Sequence, residues 1–217
     1  MAELATRATC VDCSAPLVNP QRCRACSRFQ PPDPARDHFE TLGLKRSFAI
    51  DADLLERRVV EFGRELHPDR AAADAAARTR ATLASAQLNE AYAVVRDDYR
   101  RAEYLLRLEG GKSASDDKSV PDGFLERMLD ERMELEEALQ GDAAGVAAVR
   151  ARFEKEIARC TAEIAPRFVE LHRADGSGSS SPSDRAALLV ALRRTLNVMA
   201  YYRGLLRDLR EAVRDKE

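Results

Sequence analysis

The tripeptide His67-Pro68-Asp69 restricts this chain more than any other feature. On its N-terminal side Leu55, Val59, Phe62 and Leu66 recur at i, i+4, i+7 and i+11, one face of an α-helix. Pro68 ends that helix, because proline has no amide proton and drives His67 out of the α region. After an alanine-rich patch a second helical pattern begins within 74–82 and carries Leu83, Leu88, Ala91, Tyr92 and Val95. The spacing predicts two helices joined by a loop on which His67 and Asp69 face outward. Asp69 is then a carboxylate with only Arg70 beside it, suited to a charge-assisted pairing with an arginine of another protein. The competing reading is a plain helix stop with incidental charges.

The rest of the chain also reads as helical. Residues 35–43 form a short helix with Phe39 and Leu42 inward and Gly43 as its stop, and Asp51 or Asp53 caps the next one. After a break near 96–98, residues 99–108 form a fourth helix closed by Gly110-Gly111. Gly111-Lys112-Ser113 has the ending of a phosphate loop, but Leu106 stands where that loop needs glycine, so it reads as a linker turn. Beyond it come three amphipathic segments. The first opens at Pro121-Asp122 and runs to about Gln140. The second starts near Asp142 and carries Val146, Val149, Phe153, Ile157, Cys160, Ile164, Phe168 and Leu171, with a kink or break expected at Pro166. A Gly/Ser connector over 176–182 leads to the third, capped by Ser183 or Asp184 and burying Leu189, Leu192, Leu196, Met199, Leu206, Leu209 and Val213. Three such helices suit an antiparallel bundle, and no alternating strand pattern is present. Cys160 falls on the apolar stripe and reads as a buried, inert thiol.

Cys10 and Cys13, then Cys23 and Cys26, form two C-x2-C pairs nine residues apart. Each pair lets one tight turn aim two sulfurs at one ion, and two facing turns complete a tetrahedral shell. Zinc is the expected ion, with a rubredoxin-like iron site or a redox dithiol as alternatives. Arg7, Arg22, Arg24 and Arg28 lie near enough in sequence to offset the charge of four thiolates. All four positions are cysteine, which leaves no open place for a catalytic water and points to a structural role.

The net charge of −2 and pI of about 6.0 supply no global field for nucleic acid or an anionic membrane. No apolar run approaches the roughly 20 residues of a membrane span. The start of the chain has no apolar targeting core, so a reducing cytoplasm is the expected compartment.

The first bundle segment has more apolar surface than one core face needs. Phe124, Met128, Leu135 and Leu139 form one stripe. Leu125, Leu129 and Met133 form a second, rotated by about 100° and rimmed by Glu126, Asp130, Glu136 and Glu137. An apolar strip with an acidic border is either a docking surface or a wide packing face.

The motifs together resemble a known family. Two helices flanking His67-Pro68-Asp69 are the pattern of a J domain, which docks on DnaK-class chaperone ATPases. That pattern is joined by Asp37-His38-Phe39-Glu40-Thr41-Leu42-Gly43-Leu44, Asn89-Glu90-Ala91-Tyr92, Arg101-Ala102-Glu103-Tyr104-Leu105-Leu106 and Phe124-Leu125-Glu126-Arg127-Met128-Leu129. The set is similar to the HscB family of J-domain co-chaperones of iron–sulfur cluster assembly, from about residue 35 onward. The cysteine segment resembles the tetracysteine extension of some members. The resemblance implies an all-α fold: a tetracysteine zinc knuckle (1–33), a J domain (34–110), a linker (111–120) and an antiparallel three-helix bundle (121–217). It also implies a non-enzymatic adaptor that stimulates a DnaK/HscA-class ATPase and delivers an IscU-like scaffold protein to it. Its chaperone-binding residues would be His67, Pro68, Asp69, Arg57, Arg58, Arg64 and Arg70. Its scaffold-binding residues would be Leu125, Leu129, Asp130, Met133 and Glu137, which favours the docking reading of the second stripe. Weak homodimerisation through the N-terminal segment is a further expectation. The alternative is a general J-domain co-chaperone for unfolded clients with a structural zinc site. Two departures stand out. Asn197 falls where members often carry an aromatic, with Met199 and Tyr201 nearby. The helix before the tripeptide mixes Arg57, Arg58 and Arg64 with Glu56, Glu61 and Glu65.

Overall fold

Aliphatic residues at helical spacing, interrupted by caps and prolines, give seven helices and no strands among the described residues. These are α1 (His38–Thr41), α2 (Ala52–Leu66), α3 (Ala75–Val95), α4 (Asp98–Leu108), α5 (Phe124–Gln140), α6 (Ala143–Ser177) and α7 (Pro182–Arg214). The structure is a computed structural model that describes residues 9–67, 75–177 and 182–215. Pro68, Asp69 and Arg70, the chaperone-facing tip expected above, lie outside the described residues, as does Arg7. The fold is all-α as expected, with three isolated bridges inside the cysteine segment. The chain divides into two compact units, Met1–Arg101 and Ala102–Glu217.

In the first unit, α1 starts with a capping box. Asp37 accepts from the Glu40 amide while Glu40 accepts from the Asp37 amide, so two orphan donors are satisfied. Gly43 follows at φ +65, where a side chain would be strained and would sit against the Phe62 ring. Asp51 caps α2 by accepting from the Leu54 amide at 2.9 Å. On α2, Leu55, Phe62 and Leu66 are buried.

The face expected for α3 needs one correction. Leu83 is half exposed, and the buried line is Ala81, Ala84, Leu88, Ala91 and Val95. Leu83 lies five residues before Leu88, about 140° round the helix. The alanines, too small to register as a stripe, are what let α3 pack against both α1 and α2. Arg101 closes this unit. Its buried guanidinium donates to the Phe48 carbonyl at 2.8 Å and the Val95 carbonyl at 2.6 Å, and it lies over the Phe48 ring. It thereby serves a helix-end carbonyl that has no intrahelical partner.

In the second unit, α4 ends in paired backbone bonds, Gly111 N to the Leu106 carbonyl and Gly110 N to the Arg107 carbonyl. That pattern is a Schellman stop, with Gly110 at φ +78. A Cβ on Gly111 would lie 2.3 Å from the Leu106 side chain. Gly111-Lys112-Ser113 is therefore a helix terminus, as the linker-turn reading requires. Two residues join α5 to α6, and α6 packs along both α5 and α7. Of the kink or break expected at Pro166, the break is absent, and α6 runs through the proline. Arg167 Nη1 donates to the Glu163 carbonyl at 3.0 Å, supporting a turn weakened by the proline. The expected Ser183 or Asp184 cap positions fall inside α7. The helix starts at Pro182, a favoured first-turn residue because its missing N–H would be unpaired there anyway.

The stripe on α7 is wider than its aliphatic spacing suggests. Arg193, Thr195, Asn197, Val198, Tyr202 and Leu205 are buried with Leu192, Leu196, Met199, Leu206 and Leu209, while Leu189 and Val213, also expected to be buried, are partly exposed. Arg193 is 1% exposed. It forms a fork with Glu103, Nη1 to Oε2 at 2.7 Å and Nη2 to Oε1 at 2.6 Å, and its Nε donates to Asn197 Oδ1 at 2.9 Å. Asn197 Nδ2 then donates to the carbonyls of Asp117 (3.0 Å) and Ser119 (2.8 Å), tying down the segment before α5. Removing one partner of a buried pair leaves the other charge uncompensated. Glu103→Ala is therefore expected to cost about 3–5 kcal/mol in chemical denaturation. The double variant Glu103→Leu/Arg193→Met should recover much of that loss.

Candidate functional site

Three neighbourhoods carry the chemistry expected from the sequence: the outer face of α5, the end of α2, and the cysteine segment.

Phe124 fixes the inner face of α5. Its buried ring meets Tyr201 edge-on at 5.4 Å and Tyr202 at 6.2 Å. That anchor turns the second stripe outward, leaving Leu125 55%, Leu129 66% and Met133 68% exposed. Leu125 and Leu129 line a groove of about 560 Å³ against α7, whose far wall includes Tyr201, Gly204 and Leu205. Arg132 and Asp208 face each other across it at 3.5 Å. Glu131 and Glu134 are held by Arg152 of α6 at 2.6 and 2.5 Å. Glu126, Asp130, Glu136 and Glu137 make no ion pair among the described residues, and their carboxylates stay available to a partner. The second stripe is therefore surface, not core.

Asn197 does not belong to this face. It is buried and committed to Arg193 and the Asp117 and Ser119 carbonyls. Met199 is buried as well, and the aromatic that reaches the groove is Tyr201, one turn beyond Asn197.

At the end of α2, His67 is exposed with φ −58 and ψ 131, the extended conformation a following proline demands. The Ser85 hydroxyl donates to the Leu66 carbonyl at 3.0 Å, joining this end to α3. Arg57 and Arg64 are exposed and make no ion pair among the described residues. Arg58 is half-buried over the Phe62 ring and pairs with Glu61 at 3.4 Å.

The cysteine segment folds as two matching turns. Ser14 (φ 57) and Ser27 (φ 62) each follow the second cysteine of a pair in the left-handed region. All four sulfurs lie within 4.8 Å of one another, with Cys10 to Cys26 at 3.6 Å and Cys13 to Cys23 at 3.7 Å. A tetrahedral ion with bonds of about 2.3 Å to sulfur sets sulfur–sulfur edges of about 3.8 Å, so the donor set fits such an ion. Gln30, which the spacing did not single out, buttresses the site. Its Nε2 donates to Cys10 Sγ at 3.3 Å and its Oε1 accepts from the Val11 amide at 3.1 Å. Arg28 pairs with Asp12 at 2.8 Å and senses Cys26 and Cys10. Arg24, expected to offset the thiolates, turns instead to Glu61 and Glu65.

The thiols cannot all ionise by themselves. Burial opposes the Cys10 thiolate, but the amides of Asp12 and Cys13 and the Gln30 side chain outweigh it and bring the thiol down to about 6. The Ala15 amide favours the Cys13 thiolate. Burial and the neighbouring Cys26, Cys23 and Cys10 sulfurs prevail, pushing it up to about 12. A bound cation has to displace the Cys13 proton throughout the neutral range and the Cys10 proton as well below about 6. Zinc affinity, measured by competition with a chromophoric chelator, is thus expected to rise with pH through neutrality and to fall more steeply below about pH 6. A pH-independent affinity would contradict a four-thiolate shell.

Cys160 is buried on α6 and its thiol is pushed up to about 11, mainly by that burial, in keeping with an inert role. Among the described residues no helix is long and apolar enough to cross a membrane.

Comparison with known proteins brings these neighbourhoods into one frame. Residues 120–210 match the family model described as the HSCB C-terminal oligomerisation domain. A co-chaperone protein HscB homolog of Vibrio vulnificus is 37% identical over 123 residues, covering 55% of this chain and 72% of that protein. One of Vibrio cholerae is 36% identical over 109 residues, covering 50% of this chain and 62% of that protein. The crystal structure of human co-chaperone protein HscB superposes with a TM-score of 0.73 at 21% identity, covering 94% of this chain and 97% of that one. Chaperone HscB from Vibrio cholerae superposes with a TM-score of 0.66 at 24% identity, covering 83% and 99%. The two solved structures bear on the fold alone.

Proposed function

The chain belongs to the HscB family of co-chaperones, and from that premise we propose that it is a two-ended adaptor in iron–sulfur cluster assembly. One end is the J-domain tip, His67, Pro68 and Asp69, with Arg57, Arg58, Arg64 and Arg70. It engages a DnaK/HscA-class chaperone and stimulates ATP hydrolysis. The other end is the outer face of α5, where Leu125, Leu129, Asp130, Met133 and Glu137 hold an IscU-like scaffold protein and present it to that chaperone. The adaptor turns over no substrate of its own, and the cytoplasm is its place of action. Zinc on Cys10, Cys13, Cys23 and Cys26 is structural, a cross-link in a segment whose apolar cluster is little more than Cys10, Leu17 and Cys23.

The observation that carries this reading is the second stripe of α5. Three large apolar side chains are more than half exposed on a helix whose core contacts Phe124, Met128 and Leu135 already supply. Such a strip needs a partner. The unpaired acids at its edge favour a defined partner with basic residues over a succession of unfolded chains.

Two experiments bear on the two ends separately. His67→Gln and Asp69→Asn are expected to abolish stimulation in single-turnover ATPase assays of the cognate chaperone while the circular dichroism spectrum stays native. Full stimulation by Asp69→Asn would remove the J-domain assignment. Leu125→Ala/Leu129→Ala is expected to weaken scaffold binding by about 1–3 kcal/mol in calorimetry. It should cost far less stability than the roughly 2–5 kcal/mol of each core Leu→Ala. Recovery of unfolded chains in place of the scaffold in a pull-down would favour a general J-domain co-chaperone.

A further inference from the structure

On α2, Glu61 lies four residues after Arg57 and three before Arg64, so it is placed to pair with either of them along the helix. It does neither. Its carboxylate accepts from Arg24 at 2.5 Å and from the half-buried Arg58 at 3.4 Å. Glu65 accepts from Arg24 Nε at 2.7 Å and from Asn19 Nδ2 at 2.9 Å. The third acid of this stretch, Glu56, accepts from the Tyr92 hydroxyl. Three of the four α2 carboxylates are thus occupied within the unit, two of them by the cysteine segment, and the fourth, Asp53 in the first turn, makes no ion pair among the described residues.

These contacts belong to a built interface. Arg22 Nη1 donates to the Glu65 carbonyl at the end of α2. Gln21 Nε2 donates to the Ala84 carbonyl at 3.1 Å and to Gln87 Oε1 at 3.0 Å on α3. Asn19 and Gln21 are buried there. Arg24 stands between Cys23 and Cys26, so its backbone is held by the sulfurs on either side of it.

We propose that the metal-held knuckle is a working part of the chaperone-docking surface. By taking up Glu61 and Glu65 it leaves Arg57 and Arg64, seven residues apart on one helix face, unopposed toward an acidic surface of the partner ATPase. This rests on the co-chaperone reading above. Loss of the metal releases Arg24, Glu61 folds back onto its helical neighbours, and the docking face loses its positive charge.

The test is a titration of single-turnover ATPase stimulation against co-chaperone concentration, at low and high salt. Arg24→Ala is expected to raise the half-maximal concentration about threefold at low salt, with the maximal stimulation unchanged and the difference shrinking at high salt. Glu61→Gln placed in the Arg24→Ala background should restore most of the loss, because of the two acids that Arg24 holds, Glu61 is the one spaced to pair with both Arg57 and Arg64 along the helix. Wild-type protein stripped of metal by chelator and reductant should behave like Arg24→Ala and show faster amide exchange over 61–66 and 83–87. Equal half-maximal concentrations for Arg24→Ala and wild type overturn the proposal, as does a loss that Glu61→Gln fails to restore, which would make the knuckle a brace only. Failure of the wild type itself to stimulate overturns the co-chaperone reading, a separate outcome.

Discussion

The Arg193 guanidinium is the constraint on which the second unit depends. A cation this deeply buried is tolerable only if every donor has an acceptor. Glu103 takes two of those donors and Asn197 a third, and Asn197 passes the demand on to the Asp117 and Ser119 carbonyls. One charge therefore ties the rotation of α7 to the middle of α4 and to the path of the segment leading to α5. With α7 and the start of α5 both held, Phe124 has one place to pack, against Tyr201 and Tyr202. The outward presentation of Leu125, Leu129 and Met133 follows from that packing.

The two helices proposed to meet partners, α5 and α2, treat charge in opposite ways. On α5 the acids near the apolar strip are left without partners, while Glu131 and Glu134, one step round the helix, are consumed by Arg152. On α2 three of the four acids are occupied internally and two arginines are left. In both helices the charges that an outside partner meets are those that internal pairing spares. The bare count of four acids and three arginines on α2 does not disclose that sign.

Most of the fold was legible in the sequence because it is written in aliphatic spacing. Leu55, Phe62 and Leu66, or Phe153, Cys160, Ile164, Phe168 and Leu171, sit where a helical period puts them. The four sulfurs were legible for a similar reason, since two residues between cysteines leave few geometries. The failures share a cause. Ala81 and Ala84 were passed over because packing by small residues leaves no stripe. The burial of Arg193, Thr195 and Asn197 leaves no local signal, because polar residues read as surface until a partner is known, and Glu103 lies ninety residues from Arg193. Which of Asn197, Met199 and Tyr201 reaches the groove depends on the rotation of α7, which spacing alone leaves open. The pairing of Arg24 with Glu61 and Glu65 likewise joins segments about forty residues apart, beyond any local pattern.

The distance between the cysteine segment and its resting place has a bearing on synthesis. Gln21 and its contact Gln87 are sixty-six residues apart, and α3 is the last part of that docking site to be translated. At about 5–20 residues per second, the sulfurs precede α3 by roughly 3–13 seconds on a ribosome. Until α2 and then α3 are made, the segment that holds the left-handed Ser14 and Ser27 turns lacks its full helical seat, and the nascent thiols are open to oxidants. An early metal cross-link within Cys10–Cys26 would close those turns and shield the thiols before their full helical seat exists.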